Sequence, residues 1–550
     1  MGQCYRDSGF DALGLLRRMH EEGPLSAPVR QPKVVHISLY CFKSFALRLF
    51  HNLTNNCGVE SHCIFLKDTL TNRHTPISAV EMTATLDLIR RIDPDLITLS
   101  VMAPYVVAAR DLTARIRAVT DAPVMIGGKF ATISPAEALD FTDYACKGEG
   151  ELALIEAYDR LKSGNRDLRG IVGLWFKGDD GIVIDMGQQR LIEDLDVLPF
   201  QALGEPNMHF IEYDRCTTDD PEIDNDEIWV MAGRGCVYLC SYCVNSLLIP
   251  MNRGNGRFVR LRSPDSAIAE IKHLWSRQPK AHSVSFNDEV FGVFDEWTDE
   301  FARKYKEQVG LPFHCELVPK LIKEDNVRKL ADAGLNELHF GIQSGSDEIR
   351  RDVLKRPGKN PELVEKAHLL ARIGVVPQFD IILGSPFDTV EVMEETVDMM
   401  LLLPAPMKLN TYQMQYFPHY PLTNQALERG FITPADLTYE VLAERVMKNM
   451  VFIPKISRNR KDQLEAAVYL LPWHSTVLRA LTAQLRRKPN DWLGMALGWI
   501  ALMRYHHDFL ANPALIMVGR VVRAARMIGR GEFSRLAGKI LGRLPVLSAR

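Results

Sequence analysis

Three cysteines stand close together in the stretch GRGCVYLCSYCVNS, residues 233–246, at Cys236, Cys240 and Cys243. Such thiols could bind zinc, form a redox pair with a third thiol beside it, or lie buried without a function. Structural zinc sites use four ligands, usually as two separated pairs, and the sequence shows no second Cys or His pair at that spacing. An iron-sulfur cluster fits better, because three thiolates can hold three irons of a 4Fe-4S cube and leave the fourth iron open.

Apolar segments after residue 226 alternate with helical stretches. Parallel strands joined by crossover helices can close into a full or partial barrel, whose active site lies at the carboxyl ends of the strands. The cysteine loop directly follows the first of these strands and therefore lies at that end. The candidate strands are EIWVMAG, VSFND (284–288), FHCELV (313–318), ELHFGIQSG (337–345) and PQFDIILGSP (377–386).

A similar alternation occupies residues 34–165, where continuous apolar strands predict a doubly wound parallel sheet buried on both faces. The candidate strands are VVHISL (34–39), ESHCIFL (60–66), DLITLSV (95–101), APVMIGG (122–128) and DYACKGEG (143–150). Ligands of such sheets bind at the carboxyl ends of the strands, and glycines there let a ligand approach the backbone. An alternative is that these glycines only form tight turns. The candidate binding residues are Ser100, Gly127, Gly128, Gly148, Glu149 and Gly150.

Length and composition indicate a multidomain globular protein. The chain has 550 residues, 46% of them hydrophobic, and a formal net charge of -3, which predicts two to four domains and no general affinity for nucleic acid. We find no export signal and expect a cytoplasmic protein. The predicted fold class is α/β, and the predicted divisions are an N-terminal tail (1–33), a Rossmann-like domain (34–165), a connector with a hairpin (166–225), a partial barrel (226–425) and a helical C-terminal region (426–550).

The cysteine loop resembles the C-x3-C-x-aromatic-C signature of radical S-adenosylmethionine (SAM) enzymes, with Tyr242 as the aromatic residue. The resemblance implies a 4Fe-4S cluster whose open iron chelates SAM, and reductive cleavage of SAM to a 5′-deoxyadenosyl radical. Segments 258–271, 285–292, 338–356 and 381–389 resemble the barrel of that family. The residues implied in SAM or substrate binding are Tyr242, Asp288, Glu289, Gln343 and Ser344. For Asp288 and Glu289 the alternative is a solvated helix cap.

The first domain resembles the cobalamin-binding domain that many of these enzymes carry, in segments 99–105, 127–139 and 143–161. Proteins that coordinate cobalt through histidine use Asp-x-His-x-x-Gly, whereas here Asp68 begins DTLTNR, without histidine. The resemblance therefore implies histidine-off binding of cobalamin at the strand ends. We predict that His74, displaced from the motif, is a surface histidine. A domain that no longer binds the corrin is the alternative.

The two resemblances together imply a methyltransferase that methylates an unactivated carbon of a hydrophobic, small-molecule or lipid-like substrate. The same domain pair occurs in cyclases and rearrangement enzymes of tetrapyrrole or natural-product biosynthesis, which transfer no methyl group. A non-enzymatic cobalamin or iron-sulfur sensor is a third reading, but a sensor does not need an open iron. We expect flavodoxin or ferredoxin as the reductant.

The C-terminal sequence is basic and apolar. Residues 514–550 contain seven arginines and one lysine against one glutamate, interleaved with apolar residues as on a helix attracted to anionic lipid. This pattern predicts peripheral membrane contact through residues 490–550. A helix pair packed on the barrel is the alternative.

Overall fold

Two sheets organise the chain in the computed structural model, which describes residues 9–26, 31–68, 75–449, 452–473 and 476–509. A nine-stranded sheet lies in the first part of the chain and a six-stranded sheet in the second. The predicted α/β fold, with a doubly wound domain, a partial barrel and a helical C-terminal region, is confirmed. His74 and residues 510–550, which include most of the stretch predicted to contact a membrane, lie outside the described residues.

The centre of the first sheet consists of the five predicted parallel strands, in the spatial order β5-β4-β3-β1-β2. Their bounds are β1 (Lys33–Leu39), β2 (Glu60–Leu66), β3 (Leu96–Ser100), β4 (Val124–Gly127) and β5 (Tyr144–Cys146). Nearly every residue of these strands is buried, as expected when helices cover both faces of a parallel sheet. The helices are α1 (Ala12–Glu22), α2 (Phe45–Asn56), α3 (Ala79–Ile92), α4 (Val106–Ile116), α5 (Gly128–Ile133), α6 (Pro135–Ala138) and α7 (Glu151–Lys162).

Two segments contribute more to the first sheet than the sequence predicts. The predicted tail contains α1, whose buried Leu16 belongs to the apolar core of this half. The predicted connector contains the expected hairpin, β6 (Leu174–Lys177) and β7 (Val183–Asp185), and also β8 (Met208–Glu212) and β9 (Arg215–Thr217). β8 pairs in parallel with β2, and β9 follows it as an antiparallel edge strand. Short strands of mixed polarity near the edge of a sheet give a weak sequence signal, so β8 and β9 were missed.

The second sheet is a curled, open half-barrel of six parallel strands. A short antiparallel hairpin, β11 (Gly233–Arg234) with β12 (Arg260–Leu261), stands beside it and carries the start of the cysteine loop. The six strands are β10 (Glu227–Val230), β13 (Ser283–Phe286), β14 (Phe313–Glu316), β15 (Leu335–Gln343), β16 (Val376–Leu383) and β17 (Lys408–Gln413). The last of them was not predicted. The crossover helices are α8 (Asn245–Met251), α9 (Pro264–Trp275), α10 (Asp295–Gln308), α11 (Glu324–Ala333), α12 (Asn360–Ile373) and α13 (Val390–Leu402).

The two faces of the half-barrel differ in polarity. Residues on one face, among them Val284, Phe313 and Phe379, are fully buried in the core beneath the helices. Alternate residues point to the opposite face, and there His339 and Asp380 line a cavity. Because successive side chains of a strand point to opposite faces, the inner face of this half-barrel is polar.

The described C-terminal helices pack on the half-barrel. Arg460 and Arg486 both form ion pairs with Glu394 of α13. Within the described residues no helix is both long and apolar enough to cross a membrane. The helices are α14 (Pro421–Glu428), α15 (Tyr439–Asn449), α16 (Arg460–Leu470), α17 (Thr476–Arg487) and α18 (Asp491–Phe509).

Candidate active site

The cysteine loop lies at the carboxyl end of the half-barrel. Cys240 is buried, whereas Cys236 and Cys243 are partly exposed, and all three are free thiols. Burial raises the pKa of Cys236 to about 11. Among the described residues, no three His, Cys, Asp or Glu side chains are placed to share a single metal ion. A 4Fe-4S cluster does not require such convergence, because each thiolate binds a different iron, so the three cysteines fit a cluster.

A partly buried arginine contacts this loop and was not predicted from the sequence. Arg356 Nη1 lies 3.5 Å from Cys240 Sγ and 3.3 Å from the Tyr242 hydroxyl, and its Nε donates to the Gly341 carbonyl at 2.9 Å. Its guanidinium also lies over the Tyr238 ring, 5.6 Å from the centroid. The guanidinium therefore places a positive charge beside the Cys240 sulfur. Local spacing could not reveal this contact, since Arg356 and Cys240 are 116 residues apart in the chain.

The two predicted carboxylates after β13 have different environments. Asp288 is buried, and its Oδ2 accepts a hydrogen bond from the Ala232 amide at 3.1 Å while Oδ1 has no partner. Burial raises the pKa of Asp288 to about 8. Asp288 therefore anchors the chain where it leaves β10, and it caps no described helix. Glu289 accepts a hydrogen bond from Asn245 Nδ2 at 2.9 Å, and its negative charge contributes to the raised pKa of Cys236 and of Cys243.

The two predicted residues at the end of β15 also have different environments. Gln343 lies at a register shift of β15 with a left-handed φ of 69°, and its side chain lines the cavity beside the cysteine loop. Ser344 is buried, and its hydroxyl accepts a hydrogen bond from the Ser346 amide at 3.2 Å, so it shapes the turn. Of this pair, Gln343 is placed to contact a ligand.

The predicted glycine-rich strand ends of the first sheet surround a cavity of about 310 Å³. Gly128 has a φ of 88°, and a Cβ there would lie 2.8 Å from the Val101 carbonyl oxygen. The glycines therefore serve both purposes considered, because they make the turns and line a cavity. The lining includes every residue proposed at these ends: Ser100, Gly127, Gly128, Gly148, Glu149 and Gly150.

Glu149 connects this cavity to the cysteine loop. Its carboxylate accepts two hydrogen bonds from Arg260, at 3.0 and 2.5 Å, and lies 3.3 Å from Arg234. Arg234, two residues before Cys236, also pairs with Glu151 at 2.7 Å. Burial opposes ionisation of Glu149, but the two guanidinium groups hold its pKa below the usual value. The carboxylate predicted to contact cobalamin is therefore engaged by arginines of the β11–β12 hairpin.

A larger cavity, of about 710 Å³, lies between the two sheets and the cysteine loop. Tyr40, Met102 and Lys129 line it from the strand ends of the first sheet, and Tyr242 and Cys243 line it from the cysteine loop. Described lining residues from the first sheet include no histidine. The strand ends of both sheets thus open into one chamber beside the predicted cluster.

Comparison with known proteins agrees with this architecture. Residues 47–157 match the B12 binding domain family, and residues 230–400 match the Radical SAM superfamily. An anaerobic magnesium-protoporphyrin IX monomethyl ester cyclase of Cereibacter sphaeroides is 23% identical over 421 residues, which are 71% of this chain and 63% of the cyclase. This chain thus spans less than two thirds of that relative.

Two solved structures share the fold. The radical SAM methyltransferase TsrM of Kitasatospora setae, solved with cobalamin and a [4Fe-4S] cluster, superposes with a TM-score of 0.57 at 19% identity, covering 72% of this chain and 78% of TsrM. The cobalamin-dependent SAM radical enzyme OxsB, solved with aqua-cobalamin, superposes with a TM-score of 0.58 at 12% identity, covering 90% of this chain and 75% of OxsB. The chain therefore contains a radical SAM domain and an N-terminal B12-binding domain, and these two domains imply a 4Fe-4S cluster, SAM and cobalamin as its cofactors.

Proposed function

We propose that this enzyme methylates an unactivated carbon of a small, largely apolar substrate held in the 710 Å³ cavity. The observation that carries the proposal is that one chamber is lined by the strand ends of the B12-binding domain and by Cys243 of the cysteine loop. A substrate in this chamber could contact both cofactors at once. Aromatic and aliphatic side chains such as Tyr105, Met414 and Phe417 line much of the chamber and would exclude water from a reactive intermediate.

The residues present fit the three cofactors. Cys236, Cys240 and Cys243 would hold the cluster, and Glu289, beside these thiols, would accept hydrogen bonds from the SAM ammonium. The apolar 310 Å³ cavity, lined by Phe50, Leu99 and Met125 among others, would take the flat heterocyclic tail of cobalamin.

The larger chamber would take the corrin face, and because the B12-binding domain presents no histidine there among its described residues, we propose histidine-off binding. Bound together, these groups supply a 5′-deoxyadenosyl radical and a transferable methyl group. Tyr40 and Tyr105, whose rings stack 4.9 Å apart at the edge of the chamber, would fix the side on which the substrate lies. We further propose flavodoxin or ferredoxin as the electron donor.

The relationship to the cyclase favours a second candidate function, a cobalamin-dependent cyclisation or rearrangement without methyl transfer. The cyclase is similar over 421 residues, which are 71% of this chain, so the similarity extends well beyond residues 230–400 that match the Radical SAM superfamily. The two candidate functions differ in the fate of the SAM methyl group.

A labelling experiment separates the two functions without knowledge of the substrate. The holoenzyme is incubated anaerobically with reductant and with SAM labelled in its methyl group, and 5′-deoxyadenosine and the label recovered with the corrin are measured. Methyl transfer predicts label on the corrin, because the cofactor must be recharged from SAM. Formation of 5′-deoxyadenosine with no label on the corrin would contradict the methyltransferase proposal and support the cyclase-like one.

A further inference from the structure

Three charged side chains form a connected layer across the inner face of the half-barrel. His339 of β15 lies between Glu316 of β14 and Asp380 of β16: Nδ1 is 2.9 Å from Glu316 Oε1, and Nε2 is 2.8 Å from Asp380 Oδ1. Asn410 of β17 donates a hydrogen bond to the same Asp380 oxygen at 3.1 Å. Four neighbouring strands therefore contribute to one polar layer.

This layer forms the floor of the 710 Å³ chamber. Glu316, His339 and Asp380 all line it. His339 precedes Gly341 by two residues, and the Gly341 carbonyl binds Arg356, which touches Cys240. Two residues of a strand span roughly 7 Å, so His339 lies about that far along β15 from the carbonyl that binds Arg356.

Some polar atoms of this layer take no part in holding the strands together. The Glu316 side chain is 49% exposed, although it pairs with His339, so its carboxylate opens into the chamber. His339 Nε2 lies 2.8 Å from Asp380 Oδ1, but it forms no hydrogen bond there or with any other described residue. A buried donor without a well-directed acceptor is costly, which points to a ligand that completes the arrangement.

The charge of the floor selects the kind of ligand. Two carboxylates stand against a single imidazole, which leaves the layer negative even when His339 is protonated. Among the described lining residues, the other basic side chain is Lys129, which belongs to the B12-binding domain. An anionic group placed on the floor would meet Glu316 and Asp380, whereas a protonated nitrogen would gain charge-assisted hydrogen bonds from both.

We propose that Glu316, His339 and Asp380 form the substrate-recognition site of the chamber, and that the substrate is an apolar molecule carrying a basic nitrogen. The inference rests on the proposed function, because it takes the chamber to be where the substrate binds. The nitrogen lies on the chamber side of the layer, above the imidazole of His339 and facing the Glu316 and Asp380 carboxylates that flank it. The apolar part of the substrate extends upward, toward the cysteine loop and the strand ends of the B12-binding domain.

Three probes with one apolar body and different charge test this inference: 3-phenylpropylamine, 3-phenylpropanol and 3-phenylpropionate. Their dissociation constants for the full-length, cluster-reconstituted protein are measured by ligand-observed NMR, without SAM or turnover. We expect the amine to bind at least about tenfold more tightly than the alcohol, and the acid to bind most weakly. Asp380→Asn and Glu316→Gln should each reduce the preference for the amine by about tenfold and leave binding of the alcohol unchanged.

The matched control is Glu337→Gln, which removes a carboxylate from β15 two residues below His339, where it pairs with Lys408 at 2.5 Å. This variant should keep the preference for the amine. Absence of any preference for the amine, including absence of binding by all three probes, or a preference that survives in both floor variants, overturns the inference. Stronger binding of the acid would instead indicate an anionic substrate such as a lipid or a carboxylated tetrapyrrole, and also overturns it.

These outcomes are independent of the methyl-labelling result. If the preference for the amine is absent but label still reaches the corrin, only the proposed substrate class is contradicted. If the amine is preferred but no label reaches the corrin, only the methyltransferase proposal is contradicted.

Discussion

Replacing Glu149 by Met should destabilise the protein strongly, because it leaves a buried arginine without its carboxylate. The Arg260 side chain is 2% exposed, and besides Glu149 its Nη1 reaches only the Ile192 carbonyl, at 2.8 Å. Removing one partner of a buried pair costs about 3–5 kcal/mol. Since Glu149 is 22% exposed, we expect a loss at the lower end, about 3 kcal/mol in the free energy of unfolding.

The double variant Glu149→Met with Arg260→Met tests the reason for that loss. Replacing both partners of a buried pair by apolar groups is often close to neutral, and Arg234 keeps its pairing with Glu151 at 2.7 Å. We therefore expect the double variant to lose less than about 1.5 kcal/mol, which makes it more stable than the single variant.

The assay is equilibrium urea unfolding of the cofactor-free chain, followed by tryptophan fluorescence. Glu193→Met is the control, because Glu193 forms a solvent-exposed pair with Arg257 at 3.9 Å and should change stability by less than about 1 kcal/mol. A double variant that is as unstable as the Glu149 single variant, or less stable, would refute the argument that the unpaired charge causes the loss.

Two further predictions concern the half-barrel. Cys240→Ala should lose the cluster iron and sulfide, whereas Cys315→Ala, at a fully buried thiol of β14, should keep both; equal iron content in the two variants would contradict the ligand assignment. Burial lowers the pKa of His339, but Asp380 and Glu316 outweigh this effect and raise the pKa to about 10. The stability that protonation of His339 provides is therefore complete below about pH 6.5 and is lost as the pH rises through about 10. The stability difference between the wild type and His339→Gln should therefore shrink over this range in urea titrations, and a constant difference would contradict the raised pKa.

The sequence predicted those parts of the fold in which local pattern and tertiary environment agree. Strands such as β1 and β3 are buried on both faces, so they appear as continuous apolar runs. The cysteine loop could be predicted equally well, because its three cysteines lie close together in the sequence. A glycine at a strand end can both form a tight turn and line a binding cavity, and Gly128 does both in the structure.

The missed features depend on residues far apart in the chain. β17 (KLNTYQ) is half polar because one of its faces belongs to the inner surface of the half-barrel. The pairing of Glu149 with Arg260 joins positions 111 residues apart, which local spacing cannot reveal. One usable signal was overlooked: His339 and Asp380 each stand between apolar neighbours in β15 and β16, and such alternation indicates strands with one polar face.

The proposed chemistry depends most on the joint presence of cobalamin and an open cluster. The direct measurement is anaerobic purification with added hydroxocobalamin, followed by cobalt, iron and sulfide analysis and the corrin absorbance of the desalted protein. We predict about one cobalt per chain alongside a 4Fe-4S cluster, with a spectrum that shows no nitrogen ligand below the corrin ring. Iron and sulfide without cobalt would contradict the account and leave a radical SAM enzyme that works without a corrin.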